Sequence, residues 1–456
     1  MQGIRTALRK LPPSTVIKVL RKVFAMPAPA ARLILNDITK PRSSHKPWIR
    51  KVAHPEWSGC WIGDHISVLD ETRIQERVEQ ADVVIFNVHG GGFRVGKPTM
   101  YMDTYIGWIQ QLQKVYNLKV MIMSVDYRLA PEYRYPSPVE DVVHAYEHLI
   151  LGLGVDANKV IATGDSAGAA LVLETLFITH DPSMFEIVTD DMDQEDNDGM
   201  GGGPMISELP RPAGAVLVSP LVTDETTSQS WIDNIKYDYI SQYTAKVIKK
   251  DYFEHTKPDP DAPPPPSSLG SSSHSKGGRT SSSSLDTNSS NQVLGIAKLQ
   301  TGFQAFLPSH VLMYIGNLEV LRDDALAFAQ KAKDDGVRWI TVAEDCVHDW
   351  FCVREVVKDK KILERADNVF VDFVYRAISE HRHYQSMLDL TMRRASEGLH
   401  TVNEEHGEDE EDDSDDDEFH DTMTVEDLGA TLDGIRLSTS DKHSRSSTKS
   451  SSLLYI

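Results

Sequence analysis

The chain has 456 residues, which is long enough for one large α/β domain with additions or for two domains. Its formal charge of −21 is concentrated, because twelve carboxylates lie between Glu404 and Glu418 and the rest of the chain carries only −9. This mildly acidic composition argues against a nucleic-acid-binding protein. Three cysteines are too few for a disulfide framework and form no Cys/His cluster, so we expect a reducing compartment and no metal site.

Residues 1–47 form a basic segment with an amphipathic helix. After the start signal Pro13-Ser14, six apolar residues fall on one helical face, opposite three basic ones. The apolar residues are Val16, Ile17, Val19, Leu20, Val23 and Phe24, and the basic ones are Lys18, Arg21 and Lys22. The helix is expected to cover an active site as a lid, to lie on a membrane surface through residues 14–26, or to serve as a targeting presequence.

The hydropathy of the chain predicts no transmembrane span, because no run of eighteen apolar residues and no signal-peptide core occur in it. We therefore expect a cytoplasmic protein. Through its basic helix, it could also associate peripherally with the endoplasmic reticulum or with lipid droplets.

A glycine loop follows the first predicted buried strand. The strand is the unbroken apolar run from Val83 to Val88, and it ends in His89-Gly90-Gly91-Gly92-Phe93. Three glycines at this place let the backbone approach a ligand with bare N–H groups. The amides of Gly90 and Gly91 are therefore predicted to help form an oxyanion hole; the alternative is a mobile glycine turn.

A βαβ unit follows the glycine loop. A helical pattern from Thr99 to Val115 leads into a second strand from Lys119 to Val125, which is expected to run parallel to the first. Beyond this strand, Arg128 and Glu132 are expected to form a structural ion pair beneath the glycine loop.

A strand, a tight turn and a helix surround Ser166. The apolar run beginning at Val160 ends in Gly164-Asp165-Ser166-Ala167-Gly168 and passes directly into a helical pattern. Such a turn strains the backbone of the serine and requires small residues two positions before and after it. Ser166 is therefore predicted to be the nucleophile, with the Ala167 amide as a further oxyanion donor.

These motifs carry a family resemblance. His89 to Phe93, Tyr127-Arg128-Leu129-Ala130-Pro131-Glu132, and Gly164 to Gly168 occur in the order typical of the hormone-sensitive-lipase branch of the α/β-hydrolase fold. The chain resembles its fungal sterol-acetate hydrolases and arylacetamide deacetylases. The resemblance implies an α/β fold over residues 48–381, with a mostly parallel sheet, helices on both faces and a cap formed by N-terminal and inserted segments.

The resemblance and the expected order of a triad locate the acid and the base. Three further strands are predicted at 212–219, 309–315 and 337–343. After the second, Glu319 stands where the family has its catalytic Asp, and Asp323 has an alternative role at a helix N-terminus. After the third, His348 resembles the family's base. We therefore expect a triad of Ser166, His348 and Glu319.

Insertions and a tail complete the chain. Segments 181–211 and 221–307 are predicted insertions; the second includes a cap with Trp231, Tyr237, Tyr239, Tyr243 and Tyr252 and a disordered part at 258–291. These aromatic residues and Phe93 are expected either to form an apolar pocket or to be ordinary core residues.

A last helix is predicted at 355–395. The acidic and Ser-rich tail, 396–456, is expected to be disordered, with Ser414 as a candidate kinase site.

The sequence thus predicts a serine-dependent hydrolase of short-acyl or apolar esters that needs no cofactor and acts on a small molecule. Two alternatives remain open. One is a non-catalytic binding protein on the same fold, and the other is an amidase that uses the same residues.

Overall fold

The computed structural model describes residues 11–182, 207–253 and 295–380. Their strands are β1 Ile49–Ala53, β2 Ser58–Ile62, β3 Val83–Val88, β4 Val120–Val125, β5 Val160–Asp165, β6 Gly214–Val218, β7 His310–Gly316 and β8 Arg338–Glu344. Their α-helices are α1 Pro13–Phe24, α2 Ala28–Thr39, α3 Glu71–Glu79, α4 Met102–Tyr116, α5 Ser137–Glu147, α6 Ala167–His180, α7 Gln229–Asn234, α8 Gln242–Ile248, α9 Phe303–Phe306, α10 Arg322–Asp334 and α11 at 360–380.

The strands form one eight-stranded sheet in the order β1-β2-β4-β3-β5-β6-β7-β8. β2 pairs antiparallel with both β1 and β4, and the remaining neighbours are parallel. The expectation of a mostly parallel α/β fold is confirmed. The antiparallel pair β1 and β2 was not predicted from the sequence.

Both faces of the sheet are covered by helices. Along β3, Val84 and Phe86 belong to one apolar cluster, which includes residues of α5 and α6. Their neighbours Val83 and Ile85 belong to a second cluster, which includes residues of α4 and α11. Because side chains alternate along a strand, burial on both faces explains why β3 is apolar except for Asn87, whose buried amide donates to Tyr105 and Ser124 at 3.0 Å.

The parallel strands bring four loops to one edge of the sheet. The glycine loop follows β3, Ser166 follows β5, Glu319 follows β7 and His348 follows β8. Since the carboxyl ends of parallel strands lie at the same edge, residues more than 250 positions apart in the sequence meet there.

The expected pairing of Arg128 with Glu132 is wrong. The Arg128 guanidinium donates to Asp141 at 2.9 Å and to Glu140 at 2.9 Å, whereas Glu132 accepts from Arg32 of α2 at 2.7 Å. The two residues are joined by a turn closed by a 3.1 Å hydrogen bond from the Tyr133 amide to the Leu129 carbonyl, and each side chain pairs with a residue of a neighbouring helix instead.

Several expectations lie outside the described residues. These are the disordered segment 258–291, the tail 396–456 with Ser414, and most of the insertion 181–211. In the ranges that the structure describes, no helix combines the length and the apolar character needed to cross a membrane.

Candidate active site

Ser166 occupies a strained turn between β5 and α6. Its backbone has φ +51° and ψ −115°, a region that non-glycine residues rarely adopt. Two backbone hydrogen bonds tie the turn to the end of β6. The Ser166 amide donates to the Val218 carbonyl at 2.8 Å, and the Ser166 carbonyl accepts from the Leu221 amide at 3.2 Å. A Cβ atom on Gly168 would meet the Val88 carbonyl oxygen at 2.2 Å, so this position requires glycine.

Ser166 and His348 form a buried hydrogen-bonded pair. The Nε2 atom of His348 lies 2.9 Å from the Ser166 Oγ atom. The two residues are 182 positions apart in sequence, and their side chains are joined across the ends of β5 and β8. This is the geometry in which an imidazole can accept the proton of a serine hydroxyl.

Glu319 lies in the same buried centre. Its Oε2 atom accepts from the Ser219 hydroxyl at 2.6 Å and from the Gly316 amide at 3.1 Å. Its Oε1 atom and the Nδ1 atom of His348 are both buried, and neither has a hydrogen-bond partner among the described residues. The charge of Glu319 raises the pKa of His348, so the two groups lie within electrostatic range of each other.

Asp323 does not reach this centre. Its Oδ2 atom accepts from the Ser230 amide at 2.7 Å, and its Oδ1 atom pairs with Arg322 at 2.8 Å. Asp324 likewise accepts from the Ser228 hydroxyl at 2.9 Å. Both carboxylates lie in the first turn of α10 and anchor the N-terminus of α7.

The glycine loop differs from expectation at Gly90. The Gly90 amide donates to Asp165 Oδ1 at 2.9 Å, so this N–H is not free to face an oxyanion. Gly91 and Gly92, by contrast, line the cavity that contains Ser166. The amides of Gly91, Gly92 and Ala167 donate to no group in the part of the chain that the structure describes. The loop therefore offers Gly91 and Gly92, with Ala167, as oxyanion donors.

Arg94 ties the glycine loop to the segments that cover the site. The residue is 2% exposed. Its guanidinium pairs with Asp251 of the inserted segment at 2.6 Å and donates to the carbonyls of Phe24 and Met26 at 3.4 and 3.1 Å. Phe24 is the last residue of α1. A buried cation that satisfies three such partners fixes the glycine loop, the cap and the N-terminal helices to one another.

The N-terminal helices pack over the site. On α1, Leu20 and Phe24 contact the second apolar cluster, and Arg21 donates to the carbonyls of Ile235 at 2.7 Å and of Asp238. These contacts favour the covering role expected for this segment, which stays a prediction. They argue against the membrane-surface role, because they occupy the apolar face of α1.

Three residues lie near His348 that the sequence reasoning did not place beside it. Asp349 Oδ2 lies 3.2 Å from His348 Nε2 and accepts from the Tyr239 hydroxyl at 3.4 Å. The Tyr239 ring lies edge-on to the imidazole with 5.5 Å between ring centroids. Asp238 is fully buried and accepts from the amides of Tyr239 and Val320. No sequence motif marks these residues, since their role depends on which loops meet.

The carboxylates around the imidazole determine its protonation. Burial opposes the charged imidazole, but Asp349, Glu319 and Asp238 outweigh this effect and raise the pKa of His348 to about 10. Burial also raises the pKa of Glu319 to about 8 and, with the repulsion of Asp349, that of Asp165 to about 8. A proton on His348 is thus stabilised in this centre, as acyl transfer requires once the serine has lost its own.

Two cavities meet at this centre. The serine cavity has a volume of about 40 Å³ and is lined by Ser166, His348 and cap residues that include Trp231, Ile248 and Phe253. The helix cavity has a volume of about 130 Å³ and is lined mainly by apolar residues of α1 and α2, together with Tyr101 and Tyr239. Phe24, Gly91 and Asp349 line both cavities.

The aromatic residues of the cap have divided roles. Trp231 and Tyr239 line these cavities, as the apolar-pocket expectation requires. Tyr252 instead stacks on Phe93, with 3.8 Å between the ring centroids, and is an ordinary core residue. Tyr237 and Tyr243 are exposed.

No cluster of metal-ligating side chains occurs among the described residues. Within residues 11–182, 207–253 and 295–380, no three His, Cys, Asp or Glu side chains are grouped so that they could hold a metal ion.

Comparison with known proteins identifies the fold. A family model described as the alpha/beta hydrolase fold matches residues 85–275, which include the glycine loop and the Ser166 turn. The chain has the α/β-hydrolase fold. Among solved structures, this α/β hydrolase is similar to a hormone-sensitive lipase from a metagenome library, at 18% identity and a TM-score of 0.54, with 81% of this chain and 99% of that one covered.

Curated relatives of this α/β hydrolase are lipases, esterases and deacetylases. Lipase 2 of Moraxella sp. (strain TA144) is 26% identical over 59% of this chain and 54% of the relative. Arylacetamide deacetylase of Rattus norvegicus is 35% identical over 22% of this chain and 26% of the relative. The chain thus matches about half of the first relative and about a quarter of the second. The similarities support a hormone-sensitive-lipase-like, carboxylesterase-like hydrolase.

Proposed function

We propose that this α/β hydrolase is a serine-dependent carboxylic ester hydrolase with Ser166 as nucleophile. The observation that carries the proposal is the 2.9 Å contact between Ser166 Oγ and His348 Nε2 at the wall of a cavity that also contains Gly91 and Gly92. A nucleophile, a base and unpaired amide donors in one cavity are the components of acyl transfer.

In the first half of the reaction, Ser166 Oγ attacks the ester carbonyl carbon while His348 Nε2 takes its proton. The carbonyl oxygen becomes an oxyanion, which accepts hydrogen bonds from the amides of Gly91, Gly92 and Ala167. Collapse of this intermediate breaks the bond to the leaving oxygen, which takes the proton from His348. The acyl group stays on Ser166 as an ester.

In the second half, water replaces the alcohol. His348 takes a proton from the water as it attacks the acyl-serine, and the new oxyanion occupies the same three amides. Collapse releases the carboxylic acid and returns the proton to Ser166. In both halves we assign Glu319 the role of holding the imidazole through Nδ1 and stabilising its charge, with Oε1 as the oxygen that accepts from it.

The two cavities support an ester with unequal halves. The serine cavity, about 40 Å³, has room for only about three water-sized groups. The helix cavity is about three times as large and mostly apolar. We therefore assign a short acyl group to the serine cavity and an apolar alcohol to the helix cavity.

The expected chain-length profile tests this function. With p-nitrophenyl esters from acetate to decanoate, kcat/KM should be highest for acetate or butyrate and at least about tenfold lower for decanoate, because a long acyl chain cannot enter the serine cavity. The Ile248→Ala variant widens that cavity and should raise the octanoate-to-acetate ratio. Leu326→Ala, on the exposed face of α10, is the matched control and should leave the ratio unchanged.

Either of two results would redirect the proposal. A wild-type protein that hydrolyses none of the esters would favour the binding-protein alternative. That alternative would then be supported if the protein retained a labelled ester without turning it over. Faster cleavage of anilides than of matched esters would favour the amidase.

The Gly91→Ala variant tests the oxyanion donors. Gly91 has φ +114°, and a Cβ atom there would meet the Val95 carbonyl oxygen at 2.1 Å, so the loop must move and displace its amides. We expect kcat for p-nitrophenyl butyrate to fall by about 10²-fold to 10³-fold, the usual effect of losing one donor. Gly107→Ala is the control, since a Cβ atom there meets nothing within 4 Å and alanine favours the helix. An active Gly91→Ala enzyme would remove this amide from the mechanism.

A further inference from the structure

Asp349 lies beside the catalytic pair but has no part in the proton transfers proposed above. Its Oδ2 atom is 3.2 Å from Nε2 of His348, the same nitrogen that contacts Ser166 Oγ at 2.9 Å. In acyl transfer this nitrogen delivers a proton to the leaving oxygen. The leaving oxygen and the Asp349 carboxylate must therefore be neighbours on one side of the imidazole.

The position of this carboxylate is fixed by its backbone. Asp349 has φ +53°, and its amide donates to the Ser219 hydroxyl at 3.0 Å. That hydroxyl in turn donates to Glu319 at 2.6 Å. The network that orients the acid of the triad thus also holds Asp349 against the imidazole, in a conformation that aspartate tolerates better than most residues.

The carboxylate keeps an unused acceptor. Asp349 is 5% exposed, and its Oδ1 atom is buried without a hydrogen-bond partner among the described residues. Asp349 also lines both the serine cavity and the helix cavity, so a substrate that spans them contacts it. A buried acceptor left unpaired costs free energy, and a ligand that brings a donor recovers it.

We propose that Asp349 determines which leaving group the site prefers, by accepting a hydrogen bond from a hydroxyl on the second carbon of the alcohol, one carbon beyond the carbon that carries the scissile oxygen. The preferred substrates are then monoesters of vicinal diols or polyols with an apolar remainder. This inference rests on the proposed function, because it assigns the alcohol half of the ester to the His348 side of Ser166. An ester without that hydroxyl would exclude water from the Asp349 carboxylate and leave its Oδ1 atom without a hydrogen-bond donor.

The test compares 2-hydroxyoctyl acetate with 2-methyloctyl acetate, which differ by a hydroxyl in place of a methyl group. The wild-type enzyme should prefer the hydroxyl ester in kcat/KM by about tenfold or more. In Asp349→Gly, which tolerates the positive φ, the ratio should fall to within about twofold of unity. A ratio of two substrates on one enzyme sample is independent of the fraction that is folded. Asp224→Asn is the control, since Asp224 lines the serine cavity but pairs with Lys249 at 2.7 Å, and its ratio should equal that of the wild type.

A binding measurement separates this inference from the proposed function. In Ser166→Ala protein, dissociation constants of the two intact esters should show the same preference, and Asp349→Gly in that background should abolish it. Turnover of p-nitrophenyl butyrate by the wild type reports on the serine chemistry itself. If no ester is turned over but the Asp349-dependent preference persists in binding, the serine chemistry fails and the role of Asp349 stands. The role of Asp349 would be overturned if the two esters had equal dissociation constants in Ser166→Ala protein and equal kcat/KM values in the wild type.

Discussion

Replacement of Ser166 by alanine is expected to lower kcat for p-nitrophenyl butyrate by about 10⁴-fold to 10⁶-fold. The variant loses the atom that forms the acyl intermediate, and the imidazole alone cannot replace it. The remaining activity would come from water acting in the oxyanion site formed by Gly91, Gly92 and Ala167. The measurement is the initial rate at saturating substrate, with the thermal midpoint measured on the same sample.

The control is Ser58→Ala on β2, away from the residues that line either cavity. Its hydroxyl donates to the Asp126 carbonyl, so its loss should cost about 1 kcal/mol of unfolding free energy and leave kcat within about twofold. Ser166→Ala should keep the wild-type thermal midpoint. A Ser166→Ala protein that retains most of the wild-type kcat would exclude covalent catalysis by this serine.

Ser166 could be recognised in the sequence because its requirements are local. The strained turn needs glycines at fixed distances and a strand and a helix on either side, and all of these lie within twenty residues. The predicted strand from Val83 to Val88 matched β3 for a similar reason, since burial on both faces leaves a run that is apolar at every position but Asn87. By contrast, β1 has exposed Arg50 and Lys51 at the edge of the sheet and gave no such signal.

The hydrogen bond of the Gly90 amide shows where sequence reasoning ends. Three consecutive glycines indicate bare amides, but not which of them already has a partner. The Gly90 amide donates to Asp165, a residue 75 positions away that directly precedes the proposed nucleophile. Asp349 was missed for the same reason, since its place beside His348 depends on Ser219 and a positive φ. Such contacts arise between loops that only the folded sheet brings together.

Replacement of Glu319 by glutamine is expected to lower kcat by about 10⁴-fold, while Asp323→Asn keeps most of the activity. Glutamine keeps one carbonyl oxygen, which can still accept from the Ser219 hydroxyl and the Gly316 amide, so the fold should survive. Its NH₂ group would replace Oε1. A donor at that place cannot accept from His348 Nδ1, so the imidazole would be left in the wrong tautomer for a base at Nε2.

The pH dependence of the rate is a second test of the Glu319→Gln variant. The charge of Glu319 contributes to the raised pKa of His348. A general base acts in its neutral form, so the rate rises as pH increases through this pKa. Without the Glu319 charge the pKa of His348 falls, and the acid limb of the residual activity should move to lower pH. In Asp323→Asn the limb should stay where the wild type has it.

Comparison of Glu319→Gln with Asp323→Asn decides which acid orients the imidazole, because Asp323 contacts α7 and lies in α10 rather than beside the imidazole. Asp323→Asn should cost about 1 kcal/mol of unfolding free energy through its weakened contacts with Ser230 and Arg322, with kcat within about threefold. A large loss of kcat in Asp323→Asn together with an active Glu319→Gln would transfer the role to Asp323. Loss in Glu319→Gln alone, with the shifted acid limb, would mean that a glutamate orients the imidazole in this α/β-hydrolase fold.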